Sequence, residues 1–402
     1  MSYVLGVVAF ALALLTSIAW HELGHHLAAK ATGMKVRRFF VGFGPTVWST
    51  RFGETEYGLK AIPLGGFCDI AGMTPHDEMS VIDQPRAMYK QATWKRLVVL
   101  IAGPLQNFIL GFVLIVIVAL AWGLPVLGDK PVHVAEISCV APTTDANGKP
   151  VPCTGSAPAV DAGLRTGDQI IAVDGSSISD STDMIEKVRD VQGSTVLTVE
   201  RDGERTDVTI PVSQVQRMAK NPDGTLMPVT VGAIGVTLDN TLDNHYDIGS
   251  VWGGAVSFTG DMIVETVKSL ASLPTKIGSL WTAVTGGERA VDSPMSVVGA
   301  SRIGGEVVEM GLWNVFFLLL LSINFFLGAF NLVPLLPLDG GHMLIALYEK
   351  FRNLIRRALG RADGPPVDYV KLLPLTYAVV AVMGAFMVLT VTADIINPIR
   401  LG

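Results

Sequence analysis

The sequence predicts a polytopic α-helical membrane protein of about four transmembrane helices, with a membrane-associated β hairpin and one compact α+β domain outside the membrane. Three observations predict it. Half of the 402 residues are hydrophobic and only 16% are charged, and the mean hydropathy of +0.45 is high for a soluble chain of this length. Four stretches are long and apolar enough to cross roughly 30 Å of hydrocarbon. A long polar interval rich in turn residues separates the second stretch from the third.

The four stretches run from Tyr3 to Ala29, Leu97 to Leu124, Leu312 to Val333 and Leu372 to Asp394. The first has no basic residues ahead of it; Lys30 and Lys35 follow it, so it reads as a retained span and not as a leader. Orientation comes from the basic loops. Lys30, Arg37, Arg38, Arg51, Arg86 and Arg96 lie between the first two spans, and Lys350, Arg352, Arg356, Arg357 and Arg361 between the last two. The positive-inside rule makes both loops cytoplasmic, which places both termini and the interval from 128 to 311 outside. A net charge of −6 without a dense basic stripe gives no electrostatic footprint for nucleic acid.

Four regions follow: 1–124 with two spans and the hairpin loop, 128–212 as the external domain, 213–311 as an external linker, and 312–402 with the last two spans. The alternation and turns from Val36 to Gly66 predict strands, either as a surface hairpin or as an element entering the membrane. In the linker, Val251 to Val284 is apolar at helical spacing but interrupted by Asp261, Glu265, Lys268 and Lys276. That pattern predicts amphipathic helices on the outer membrane face. Cys139 and Cys153 both fall in the external interval, where an oxidising compartment favours a disulfide between them, whereas Cys68 falls in the cytoplasmic loop as a thiol.

Within the external domain, Ala159 to Gly175 reads as turn, strand and turn, Ser181 to Val191 as a capped helix, and Thr195 to Val212 as a hairpin turning at Asp202 and Gly203. This order, and the stretch GLRTGDQIIAVDG above all, resembles a bacterial PDZ domain.

The chemistry is concentrated at the end of the first span, where His21, Glu22, Leu23, Gly24 and His25 form an H-E-x-x-H motif. Residues four apart share a helix face, so both imidazoles can ligate one Zn²⁺ while Glu22 stands beside it as a base. Counting back from Lys30 at 1.5 Å per residue, the site lies roughly 12 Å below the cytoplasmic surface. Snorkelling of the three polar side chains to the interface is the bland alternative. Ionisable groups within a span are costly enough to favour function. His26 points away from the pair. A catalytic zinc takes a third protein ligand, and Asp339 in NLVPLLPLDGGH is the leading candidate: Pro334 and Pro337 break the third span, and Gly340 and Gly341 let the chain turn. Asp339 as a helix cap and His342 as a ligand stay open.

HELGH in a first span, GPLQN (Gly103 to Asn107) in a second, the external domain, and NLVPLLPLDGG ending a third resemble the site-2 protease family of intramembrane zinc metalloproteases (peptidase family M50), most closely its actinobacterial Rip-type members. The resemblance implies one zinc held by His21, His25 and Asp339, with Glu22 as general base. It implies Asn331 as a substrate or oxyanion ligand and Asn107 as a structural or substrate residue. It also implies that the hairpin of Tyr57, Lys60, Ile62, Gly65 and Gly66 pairs with an unwound substrate strand. The expected activity is regulated intramembrane proteolysis in a bacterial cell membrane. The expected partners are the bilayer and membrane-tethered substrates, such as anti-sigma factors, after a first external cut. In the external domain, either bulk exclusion or a carboxylate-binding groove near Gly163 to Gly167 would filter substrates. A prenyl-protein peptidase would need a Glu as third ligand and more spans, and a metal-bearing scaffold without activity is the non-enzyme alternative.

Overall fold

The computed structural model describes residues 1–125, 127, 132–141, 143, 153, 157–178, 181–220, 226–239, 246–287, 289–290 and 292–399. Two compact units share the chain: residues 124–244 form one, and the segments on either side form the other.

The helical unit opens with α1 (Ser2–Ala31), a long hairpin of β1 (Val36–Phe52) and β2 (Thr55–Ile70), and α2 (Thr93–Ala121). The hairpin doubles back on itself. Arg38 to Val41 pair antiparallel with Gly66 to Asp69, and the same four residues also pair with Glu56 to Leu59, which in turn pair with Trp48 to Arg51. Gly42, Gly44 and Gly65, all at positive φ, make the fold-over. Apolar residues from both ends of the hairpin, Val36 and Ile70, join Ala29, Met34, Met88, Val99 and Leu100 in one cluster that ties strands to α1 and α2.

In the β-rich unit come β3 (Val132–Ile137), α3 (Pro158–Asp161), β4 (Gln169–Val173), β5 (Ser176–Ser177), α4 (Ser181–Arg189), β6 (Gly193–Arg201), β7 (Glu204–Lys220), β8 (Leu226–Ala233) and β9 (Val236–Asp239). The sheet order is β8-β7-β6-β4-β3-β9, with β5 on β4. Asp202 and Gly203, both at positive φ, close β6 onto β7 as the sequence predicts. The core joins Ile170, Leu197, Val199 and Ile210 of the sheet to Met184 and Val188 of α4 and Leu164. The expected boundaries need correction. The start at 128 lies outside the described residues, and the end at 212 is too early: β7 runs on to Lys220, and β8 and β9 pair with β7 and β3. Without β9, β3 would be left as an open edge. Cys139 and Cys153 are disulfide-bonded, with Cα atoms 5.9 Å apart.

The helical unit resumes with α5 (Val251–Ser272), α6 (Ile277–Val284), α7 (Val297–Glu309), α8 (Trp313–Asn331), α9 (Asp339–Ala358) and α10 (Leu373–Ile396). Four helical segments are long and apolar enough to cross a membrane among the described residues: Ser2–Ala31, Thr93–Ala121, Trp313–Asn331 and Tyr369–Ile396. They correspond to the four expected spans. In the segment expected to form surface helices, α5 packs against α2 and α8, burying Val251, Ala255, Phe258, Met262 and Thr266. Helix α7, absent from the sequence reading, packs on α1. A buried Arg289–Asp394 pair at 2.6 Å fixes the chain before α7 to α10, with Asp394 also accepting from the Ser296 N–H.

In the β-rich unit the buried Asp168 accepts two hydrogen bonds from Arg201, at 2.6 and 2.7 Å, and one from the Arg165 N–H. The Arg201 bonds, helped by the Arg165 N–H, hold its carboxyl below the usual range against the opposing effect of burial. A carboxyl depressed in the folded state stabilises above its unfolded pKa, and that contribution is lost as pH falls through the lower folded value. Hydrogen exchange on the full chain should show protection of β6 amides falling on acidification below about pH 4. Asp168→Asn should lower protection at neutral pH and flatten that acid response.

Candidate metal centre

Helical periodicity puts His21 and His25 on one face of α1, and both are buried, at 6% and 7% exposure. Their Nε2 atoms stand 3.1 Å apart. Asp339 Oδ2 completes a triangle, 3.2 Å from His21 Nε2 and 3.3 Å from His25 Nε2. These residues are the one cluster of three His, Cys, Asp or Glu side chains with converging ligand atoms among the described residues. A tetrahedral zinc with ligands at roughly 2.0–2.1 Å holds those ligand atoms roughly 3.3 Å from one another, so the triangle fits the ion.

The sequence brings Asp339 there by breaking α8 at Asn331 and carrying the chain through Leu332 to Leu338 before α9 begins. Gly340 and Gly341 lie so close to the backbone of that loop that a Cβ would come within 2.3 Å of Leu332 O and 2.6 Å of the Leu335 carbonyl carbon. Asp339 is the first residue of α9, whose N-cap is Leu338, so its carboxylate serves the histidines and not as a cap. His342, one turn on, stacks on Tyr369 with its Nδ1 3.4 Å from the hydroxyl. It stands outside the triangle.

Helix α2 supplies the floor. His25 Nδ1 lies 2.8 Å from the Val99 carbonyl, which only accepts, so the ring proton is on Nδ1 and the Nε2 lone pair faces the site. At Gly103 an added Cβ would stand 2.2 Å from His25 Nε2 and 2.7 Å from His21 Nε2, and at Gly24 it would stand 2.2 Å from the Ala102 carbonyl oxygen. Trp20 Nε1 donates to Gln106 O at 3.0 Å across the same crossing. Asn107 Nδ2 lies 3.2 Å from His21 Nδ1. Buried Arg96 and Glu349, 2.5 Å apart, join α2 to α9, and Glu349 also accepts from the Val367 N–H at 2.6 Å. The sequence reading missed Val99 and the Arg96–Glu349 pair. The GPLQN motif was the signal for Gly103.

Glu22 faces the backbone N–H of Cys68 in β2, and a Cβ at Gly66 would lie 3.4 Å from its Cγ. Gly66 thus sits beside the expected base. Tyr57 differs from the expectation that it lies free for a substrate strand. Tyr57 pairs on both sides, with Phe39 and Thr50, and its hydroxyl bonds His26 Nε2 at 2.9 Å and Lys30 Nζ at 3.0 Å, so it anchors the hairpin to α1. Lys60 donates to Gly44 O, Ile62 pairs with Phe43, and Gly65 lies against the Phe43 ring. The hairpin edge beside α1 is Gly66 to Ile70, because Glu56 to Leu59 have partners on both flanks. Asn331 ends α8 with its Nδ2 bonded to Leu327 O at 3.0 Å, turned onto its own helix and making no hydrogen bond to the triangle.

In the β-rich unit, most of the N–H groups of Gly163 to Gly167, where a carboxylate was expected, already have acceptors. The N–H groups of Gly163, Leu164, Arg165 and Gly167 are bonded to Val160 O, Ala159 O, the Asp168 carboxylate and Val134 O. A cleft of about 300 Å³ lies instead between α4 and β9, lined by Cys139, Ile185, Val188, Arg217, Ile234 and Val236.

Two imidazoles and a carboxylate converging within a membrane-spanning helical framework, with a second carboxylate beside them, define a membrane metallohydrolase. The model of Peptidase family M50 matches residues 9–362, and the chain belongs to that family. It is 50% identical over 404 residues to Zinc metalloprotease Rip1 of Mycobacterium bovis (strain BCG / Pasteur 1173P2), covering 100% of both chains. It is 51% identical over 409 residues to the protein of the same name in Mycolicibacterium smegmatis, again covering 100% of both. Among solved structures, the PDZ domain of the SdrC-like protein of Listeria monocytogenes matches 31% of this chain and 100% of that one, at 20% identity and a TM-score of 0.18. The chain is a membrane metalloprotease.

Because Gly103 makes room for both imidazoles, Gly103→Ala should overpack the centre at a cost of roughly 1–3 kcal/mol, about tenfold or more in metal affinity. Metal analysis of purified protein after mild chelation checks this. Full retention of metal would show that the two helices part without disturbing the ligands.

Proposed function

We propose that this chain performs regulated intramembrane proteolysis, hydrolysing a peptide bond within or near the transmembrane segment of a membrane-tethered regulator such as an anti-sigma factor. The observation that carries this reading is the His21, His25 and Asp339 triangle beside Glu22, built on helices apolar enough to span the bilayer. The metal is zinc, and His21, His25 and Asp339 would hold it. When bound, zinc supplies a Lewis acid that polarises the scissile carbonyl and makes water nucleophilic near neutral pH. Glu22 takes the proton of the attacking water on its carboxylate and returns it to the departing amine. Asn331, rotated away from Leu327, donates its amide N–H to the developing oxyanion. An unwound substrate strand adds at the Gly66 to Ile70 edge, where the Cys68 N–H already faces the base and main-chain bonds replace those of the lost helix.

On the positive-inside rule, the basic loops support a centre toward the cytoplasmic side of a bacterial cell membrane and a β-rich unit that acts outside as a PDZ-type domain. That unit filters substrates left by a first external cut, either by bulk or by holding a new C-terminal carboxylate in the α4–β9 cleft near Arg217.

Ligand and base variants should separate. His21→Ala, His25→Ala and Asp339→Ala should lose both zinc and cleavage, while Glu22→Gln should keep zinc and lose turnover by roughly 10²–10⁴-fold. Zinc content beside cleavage of a single-span substrate in cells measures this, and full zinc and activity in Asp339→Ala would sink the ligand assignment.

Deleting the β-rich unit should allow an uncut substrate to be cleaved without the first protease, with zinc content confirming that the spans still fold. Arg217→Glu tells the two filters apart: carboxylate capture is lost, and bulk exclusion survives. Continued dependence on the first cut in a zinc-loaded deletion would refute the filter.

A further inference from the structure

The stripe Val99, Gly103 and Asn107 runs along one face of α2 at four-residue spacing, opposite His25 and His21. At one end of the stripe the Val99 carbonyl holds His25 by Nδ1, and in the middle Gly103 leaves space for both rings. At the other end Asn107, fully buried, meets His21 Nδ1 at 3.2 Å while its own Oδ1 has no hydrogen-bond partner. We propose that Asn107 is a positioning residue for the metal, its amide oxygen accepting the Nδ1 proton of His21 and so aiming the Nε2 lone pair at the centre.

The inference rests on the reading of His21 as a zinc ligand. A neutral imidazole that ligates through Nε2 carries its proton on Nδ1, and a proton there needs an acceptor. A half-turn of the Asn107 amide about its Cβ–Cγ bond exchanges nitrogen for oxygen without changing the shape of the side chain. That half-turn gives the His21 N–H an acceptor and the orphaned oxygen a donor. Both imidazoles are then fixed alike, each by an oxygen of α2 on its far nitrogen and by Asp339 on its near one. Packing alone does not account for an amide here, since a leucine of similar size would fill the same space without a buried polar group to satisfy.

The test is a zinc competition titration on full-length protein carrying Glu22→Gln, so that no reading depends on turnover. Asn107→Leu should weaken zinc binding by about 10–100-fold while leaving the melting temperature of the zinc-free protein unchanged, and Asn107→Asp, which keeps an acceptor oxygen, should restore affinity. Asn107→Ala is the second acceptor-free variant if leucine is not accommodated. Zinc affinity of Asn107→Leu equal to the parent's, or an equal loss in the Leu and Asp variants, overturns the proposal. His21→Ala in the same series separates the two readings. If it loses zinc while Asn107→Leu keeps it, only the positioning role fails; if it keeps zinc, the ligand assignment has failed.

Discussion

The centre depends on how closely α1 and α2 approach at Gly24 and Gly103. A Cβ at Gly24 would meet the Ala102 carbonyl of α2, and one at Gly103 would meet the imidazoles of His25 and His21, so a side chain at either glycine displaces the helix backbone or the ligands themselves. The bilayer makes this packing decisive. Lipid tails are as apolar as leucine, so helices associate through close contact and buried polar bonds instead of hydrophobic exclusion. At this crossing both are present, in the glycine pair and in the bonds that Trp20, His21 and His25 of α1 make to Gln106, Asn107 and Val99 of α2.

The third ligand is held by a different device. Asp339 opens α9, and ten residues further along the same helix Glu349 is clamped to Arg96 near the start of α2. A buried ion pair is weak evidence of stability, yet breaking one by removal of a partner costs roughly 3–5 kcal/mol. Its value here is registry. The pair sets where α9 lies on α2, and so where the carboxylate at its first turn arrives. Tyr57 does a similar service for the hairpin, bonding His26 and Lys30 on the far side of α1 from the ligand pair.

Much of this was legible in the sequence where the rule is local. Hydropathy marked the four spans, helical spacing paired His21 with His25, and proline and glycine marked the break that frees Asp339. What escaped depends on which segments meet. Nothing in the spacing of Val36 to Gly66 shows that the hairpin folds over and surrounds Glu56 to Leu59, so nothing in it marks Tyr57 as paired on both flanks. At Gly163 to Gly167 the N–H groups of Gly163, Leu164, Arg165 and Gly167 are taken by neighbouring acceptors and by Val134 of β3, pairings that the spacing of residues does not reveal. The strands β8 and β9 lay beyond the point where the hairpin pattern seemed to end, and α7 shows its purpose only against α1.

Two of the three ligand atoms come from the first helix and the third from near the other end of the chain. During synthesis, α1 enters the membrane with its histidines long before α9 is made, and until α9 docks on α2 the pair lacks its carboxylate. An unfinished chain therefore carries the motif of a protease but not a complete centre. A hydrolytic site that lives among the membrane's own helices thus stays incomplete until most of the chain has been made.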